Sequence, residues 1–192
     1  MKKIYLIPLV LLIIGIAVFI IYSFMDSRVE LDGTTNQATS TLLSPTTKTP
    51  NVKNITYLID DQPVTLVDGL SEIDIADSSS KQVTRYFGNE ATGDLNGDGK
   101  NDVAFILTQD SGGSGIFYYN AVALANDNGY EGINAILLGD RIAPQTTNIS
   151  KGKINVNYAD RKIGESFSVQ PTVGVSKYFQ VINNKLVDVT LN

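Results

Sequence analysis

The chain contains no cysteine, no histidine and no tryptophan among its 192 residues. These absences exclude disulfide bonds, cysteine nucleophiles, Ser-His-Asp triads and zinc sites built from Cys and His. Carboxylates, hydroxyls, Lys and Arg remain for chemistry, and hard cations such as calcium suit the oxygen ligands among them. Positive charge is also scarce, with 15 basic against 20 acidic residues. The composition therefore argues against a nucleic-acid partner, which requires a basic face.

Charge is absent altogether from residues 4–25, a run of 22 residues. As a helix this run would rise about 33 Å, enough to cross a hydrocarbon core of about 30 Å. Lys2 and Lys3 precede it, so the positive-inside rule predicts a cytoplasmic amino terminus and an extracytoplasmic remainder. We predict that residues 1–25 form an uncleaved transmembrane signal-anchor, with the lipid bilayer as partner through residues 4–25. A cleaved secretory signal is the alternative, although no A-x-A-like cleavage site follows the run.

A Ser/Thr-rich segment separates this run from the rest of the chain. Nine of the eighteen residues from Gly33 to Pro50 are Ser or Thr. Such a segment cannot bury enough apolar surface to offset its loss of conformational entropy. We therefore predict a disordered linker over residues 26–54 and one extracytoplasmic domain over residues 55–192. The linker would span roughly 30 Å on average as a flexible chain.

From residue 55 onward the apolar residues recur with a period of two, and Gly, Asn and Asp interrupt them. The spacing predicts an all-β domain, an antiparallel sandwich or a curled, barrel-like sheet. Asp60-Asp61 predicts a hairpin turn, whereas residues 68–81 are ambiguous and leave room for a short helical turn. The predicted strands are 55–59, 62–67, 83–87, 103–108, 115–125, 133–138, 153–158, 172–182 and 186–191.

Aromatic residues recur in adjacent pairs, at Tyr86-Phe87, Tyr118-Tyr119 and Tyr178-Phe179. Neighbours on a strand point to opposite faces of the sheet. One member of each pair is therefore expected to enter the core while the other lies on the second face. That second face is either covered by protein, with tyrosine hydroxyls at a wet rim, or an aromatic platform for a sugar or peptide.

One segment carries a specific chemical motif, D-x-N-x-D-G-x-x-D over residues 94–102. Calcium binds six to eight hard oxygens, and alternate side chains of such a loop point inward to supply them. Glycine at the sixth position permits a sharp turn, and an acidic turn held by Asx hydrogen bonds without metal is the alternative. The predicted calcium ligands are Asp94, Asn96, Asp98, Asp102 and, through its backbone carbonyl, Lys100.

The motif departs from an EF-hand at its end. Position 12 is Phe105 rather than a bidentate glutamate, and the residues around it predict a strand instead of a helix. Asp102 is therefore expected to close the site in a strand–loop–strand setting. The loop resembles the calcium loops of FG-GAP and VCBS repeats and, more distantly, of dockerins. Those families carry tandem copies, whereas this chain contains one, so a propeller of repeats is not predicted.

A wider stretch resembles an uncharacterised domain of bacterial envelope proteins. The resemblance is carried by residues 93–99, by 112–119 and by 138–141. It implies a secreted or membrane-anchored bacterial setting and no particular activity. We therefore expect a non-catalytic binding, adhesion or scaffolding module of the cell envelope, with an envelope protein or a glycan as partner. The alternative is a small carbohydrate- or peptidoglycan-directed hydrolase with two carboxylates facing each other across a cleft.

Overall fold

A computed structural model of the chain describes residues 51–191. Within this range the chain forms twelve strands and no helix. The strands are β1 (Thr56–Ile59), β2 (Gln62–Thr65), β3 (Leu70–Asp74), β4 (Lys81–Gly93), β5 (Asp102–Asp110), β6 (Phe117–Asn126), β7 (Gly129–Gly132), β8 (Asn134–Asp140), β9 (Ala143–Ser150), β10 (Lys153–Asp160), β11 (Val173–Ile182) and β12 (Lys185–Asp188).

The strands form two sheets. The first has eight strands in the order β2-β1-β8-β6-β5-β4-β3, with β7 paired to β6, and it curls into a half-barrel. Its strand pairs are antiparallel except for β1 with β8, where Leu58 lies opposite Asn134 in a parallel pair. The second sheet has four antiparallel strands in the order β12-β11-β10-β9.

The central strands β5 and β6 are buried on both faces. On β5, Phe105 and Leu107 face one core while Ala104 and Ile106 face the other. The first, the hairpin core, lies under the β1–β2 hairpin and comprises Val52, Tyr57, Ile59, Val64, Leu66, Val103, Phe105, Leu107, Tyr119, Ala121 and Ala123. The second, the inter-sheet core, comprises Leu95, Ala104, Ile106, Val122, Leu124, Ile133, Leu138, Ile142, Ile154, Val156, Tyr158, Phe179 and Leu186.

The all-β prediction is confirmed, and each predicted strand has an observed counterpart. The two-residue turns have the backbone that such hairpins require, with φ of 50° and 61° at Asp60 and Asp61, and of 52° and 57° at Asn183 and Asn184. The aromatic pairs at residues 86–87 and 178–179 each have one member in a core and one exposed, as predicted, whereas Tyr118 and Tyr119 pack against the two different cores. Phe179 is fully buried while the neighbouring Tyr178 is 39% exposed.

The sequence left room for a short helical turn within residues 68–81, and that prediction is wrong. The segment contains β3, which pairs with β4 from Leu70 opposite Arg85 to Asp74 opposite Lys81. β3 lies at the edge of the sheet, and its residues are exposed or half-buried. Without a buried face it lacks the alternation of apolar and polar residues that identifies a strand.

Two further strands, β7 and β9, are absent from the prediction, and β4 is longer than predicted. β4 continues past residue 87 because Gly88 and Asn89 adopt φ of 104° and 56° and form an irregularity in the pairing with β5, not a chain reversal. β9 is missed because its outward residues, such as Thr146 and Asn148, are polar and exposed.

The predicted signal-anchor and most of the predicted linker lie outside the described residues. No helix within residues 51–191 is long and apolar enough to cross a membrane. Residues 51–54, assigned to the linker from the sequence, belong to the folded domain. Val52 lies in the hairpin core, and its carbonyl accepts a 2.7 Å hydrogen bond from the hydroxyl of buried Tyr57.

Candidate metal centre

The motif lies between β4 and β5, so the predicted strand–loop–strand setting is observed. Gly93 at the end of β4 pairs with Asp102 at the start of β5, and this closes residues 94–101 into a loop. The close packing of β9 against the end of β4 depends on Gly93, because a Cβ atom there would lie 2.7 Å from Cγ2 of Ile149 on β9. The base of the loop is therefore fixed by the sheet and by the packing of β9.

Asp94 organises the first half of the loop. Its Oδ1 accepts a 2.7 Å hydrogen bond from the N–H of Gly97, and its Oδ2 accepts one of 3.0 Å from the N–H of Gly99. Both glycines have positive φ, 84° and 82°, which other residues adopt only with strain. The backbone thus wraps around a carboxylate at the first position of the motif.

Asn96 and Asp98 repeat this pattern on a smaller scale. Oδ1 of Asn96 accepts a hydrogen bond from the N–H of Asp98 at 3.0 Å, and Oδ1 of Asp98 accepts one from the N–H of Lys100 at 2.8 Å. The Asn96 amide also donates to Oδ2 of Asp98 at 3.3 Å. These Asx turns keep oxygens from positions 1, 3 and 5 within one short, exposed loop.

Asp102 differs from the other predicted ligands because it is fully buried. Its Oδ2 accepts a 2.8 Å hydrogen bond from the N–H of Leu95, and its Oδ1 accepts one of 2.8 Å from the N–H of Ala125 on β6. Each carboxylate oxygen can accept a second partner. Asp102 therefore ties the loop to the sheet and retains lone pairs for a cation.

Lys100 directs its side chain away from the motif. Its Nζ lies 2.9 Å from a carboxylate oxygen of Asp127 in the turn between β6 and β7. The hydrogen bond to Asp127 raises the pKa of Lys100, and the same contact lowers the pKa of Asp127. The ammonium charge of Lys100 is thus engaged outside the loop.

The three carboxylates of the motif are not gathered into one cluster. Among residues 51–191, no group of three or more acidic side chains is arranged so that it could hold a metal ion. The oxygen donor types and their order along the loop fit calcium, while their present partners are N–H groups of the protein. A cation would have to draw Asp94, Asp98 and Asp102 closer together.

Sequence reasoning missed the residues that fasten the loop from outside, Ala125 and Asp127. Both are more than twenty positions away from their partners along the chain. Their contacts depend on the pairing of β5 with β6 and on the β6–β7 turn. No pattern of neighbouring residues in the sequence can indicate such a contact.

Two carboxylates away from the motif share a depression. Asp61 and Glu131 both line an open pocket of about 260 Å³ beside Leu58. Both side chains are exposed, so the two carboxylates have similar, solvent-facing surroundings.

No protein-family model matches the chain, and neither the curated proteins nor the solved structures contain a significant match to it.

Proposed function

We propose that the protein is a membrane-anchored, extracytoplasmic, calcium-binding β-domain that acts as a non-catalytic binding module of the cell envelope. The observation that carries the metal assignment is the loop of residues 94–102. Three aspartates and one asparagine stand at alternating or closing positions, and glycines with positive φ shape the turn around them. The anchor is the uncharged run of residues 4–25.

The calcium would be structural. Its binding would neutralise three neighbouring carboxylates and fix the connection between β4 and β5. A ligand that binds only the folded state stabilises it by about 2.7 kcal/mol when present at 100 times its dissociation constant. For a domain of about 150 residues, this corresponds to a rise in Tm of about 5–10 °C.

The test is thermal unfolding of the full chain in detergent, monitored by circular dichroism. The Tm is measured once in chelator and once in millimolar calcium. Calcium is expected to raise the Tm, and chelator to reverse the rise. Asp98→Ala should abolish the response because its carboxylate is a ligand. Lys100→Ala should retain it, since only the carbonyl at that position contributes. An unchanged Tm in calcium contradicts the metal assignment.

The non-catalytic role is favoured over the hydrolase alternative by the exposure of Asp61 and Glu131. A general acid and a nucleophile or base need different environments to hold different protonation states at one pH. Asp61 and Glu131 both lie at the surface, in similar solvent-exposed surroundings.

A further inference from the structure

The outward face of the four-stranded sheet is polar and almost uncharged. Ile154, Val156 and Tyr158 of β10 face the inter-sheet core, so the residues between them face solvent. The same alternation applies to β9 and β11. The outward residues near the centre of the sheet are Thr146, Asn148, Ser150, Lys153, Asn155, Asn157, Ser176, Tyr178 and Gln180.

One row across this face is bonded internally. Asn157 lies between Thr146 on β9 and Ser176 on β11. Its amide donates to Oγ1 of Thr146 at 2.9 Å, and its Oδ1 accepts from the hydroxyl of Ser176 at 2.7 Å. Part of the side-chain hydrogen-bonding capacity of this row is therefore used within the sheet.

The adjacent row is uncommitted. The strand register places Asn155 between Asn148 and Tyr178. Oδ1 of Asn155 is shielded and has no hydrogen-bond partner. Within residues 51–191, the Asn148 amide and the Tyr178 hydroxyl likewise make no hydrogen bond to protein. The exposed Asn148 amide and Tyr178 hydroxyl therefore present donors and acceptors that this part of the fold does not use.

A groove lies beside Tyr178, at the β11 end of this row. Its volume is about 340 Å³, within the range of roughly 300–1,000 Å³ typical of ligand sites. The hydroxyl of Thr190 accepts a 2.9 Å hydrogen bond from the N–H of Tyr178, which fixes the segment after β12 as one wall. The lining residues are Lys153, Ser176, Tyr178, Val189, Thr190 and Leu191.

The charge of this face points to the ligand class. Residues 51–192 contain 17 acidic and 11 basic side chains, yet none of the outward residues defined above is acidic and only Lys153 is basic. Nucleic acid would need a basic face. Amides and hydroxyls beside an exposed aromatic ring match a neutral ligand whose hydroxyl groups both donate and accept and whose ring has an apolar side.

We propose that the face around Asn148, Asn155 and Tyr178 binds a neutral glycan chain. The Tyr178 ring would stack on a sugar ring, and the Asn148 amide and the amide nitrogen of Asn155 would bond its hydroxyl groups. The proposal rests on the proposed function, because it supplies the ligand class of the binding module. It does not depend on the metal loop, which lies between β4 and β5 in the other sheet.

The test uses the full chain in detergent with two neutral probes, chitotetraose and cellotetraose, measured by saturation-transfer NMR and calorimetry. At least one probe is expected to bind. Tyr178→Ala should weaken that binding at least about tenfold, as removal of a central interface aromatic residue does. Asn148→Ala should weaken it as well. Phe87→Ala is the matched control, since Phe87 is also an exposed ring, 48% accessible, on β4 of the other sheet.

Two results would overturn the proposal. One is the absence of binding by both probes at about 10 mM, a range where even weak sites are occupied. The other is binding that Tyr178→Ala and Asn148→Ala leave unchanged while both variants keep the parent circular dichroism spectrum. Asp98→Ala separates this proposal from the metal assignment. It should lose the calcium response and keep glycan binding, so each can fail alone.

Discussion

Asp102→Ala tests how the loop of residues 94–101 is held to the sheet in the absence of metal. The substitution leaves the N–H groups of Leu95 and Ala125 without their acceptor. A buried donor without a partner costs about 1–3 kcal/mol. Leu95 is buried and Ala125 is half-buried, so we expect a loss of about 2–5 kcal/mol. That is a large share of the 5–15 kcal/mol that is typical of folded domains.

The assay is urea unfolding of the full chain in detergent and chelator, followed by tyrosine fluorescence. Asp98→Ala is the matched control, because Asp98 is exposed and the two hydrogen bonds that it accepts, from the N–H of Lys100 and the Asn96 amide, both come from within the loop. We expect this control to lose less than about 1 kcal/mol. The loss of stability in Asp102→Asn should lie between those of the two alanine variants. Asparagine keeps one acceptor oxygen, but its amide NH₂ group would face one of the two N–H donors.

The two variants therefore separate a structural role from a ligand role. In chelator only the Asp102 substitution should be strongly destabilising, whereas in calcium both variants should lack the stabilisation that the parent gains. If Asp102→Ala and Asp98→Ala unfold within about 1 kcal/mol of each other in chelator, the anchoring role of Asp102 is refuted.

Two further predictions concern the cores. Gly132→Ala should destabilise the protein by at least about 1–3 kcal/mol in urea unfolding, because its Cβ would lie 2.2 Å from the carbonyl oxygen of Thr56; Gly113→Ala, which meets nothing within 4 Å, is the control, and equal effects contradict the prediction. Burial, followed by Asp160 and Asp188, raises the pKa of Tyr158 to about 12. Since an unfolded tyrosine ionises near pH 10, stability should fall as the pH rises from about 10 to about 12, and Tyr158→Phe should reduce the slope of this loss in urea titrations across that range.

Local chemistry was sufficient to predict the hairpins. Asp60-Asp61 and Asn183-Asn184 each tolerate positive φ at two successive positions, and both form the tight turns that this property permits. The uninterrupted apolar run 103–107 predicts a strand, and β5 is buried on both sides. What covers its second face could not be predicted, because the β1–β2 hairpin reaches that face only through the parallel pairing of β1 with β8.

The candidate metal site could also be predicted only in part. The order of ligands in residues 94–102 is a local pattern, and the Asx turns of Asp94 and Asn96 follow from it. The burial of Asp102 does not follow from it, because its second N–H partner, Ala125, comes from β6. Sequence reasoning therefore identified the oxygens of the loop and missed that one of them also holds the loop to the sheet.

The positions of the residues on the polar outward face are fixed by the buried residues beneath it. The face is assembled from three strands, and on β10 the outward Asn155 alternates with the inward Val156. A slip of β10 by one residue would bury Asn155 and expose Val156. The inter-sheet core that excludes such a slip therefore also fixes Asn155 between Asn148 and Tyr178. Substitutions at Asn148 or Tyr178 should therefore change glycan binding without changing the strand register. A change in binding can then be assigned to the residues of this face.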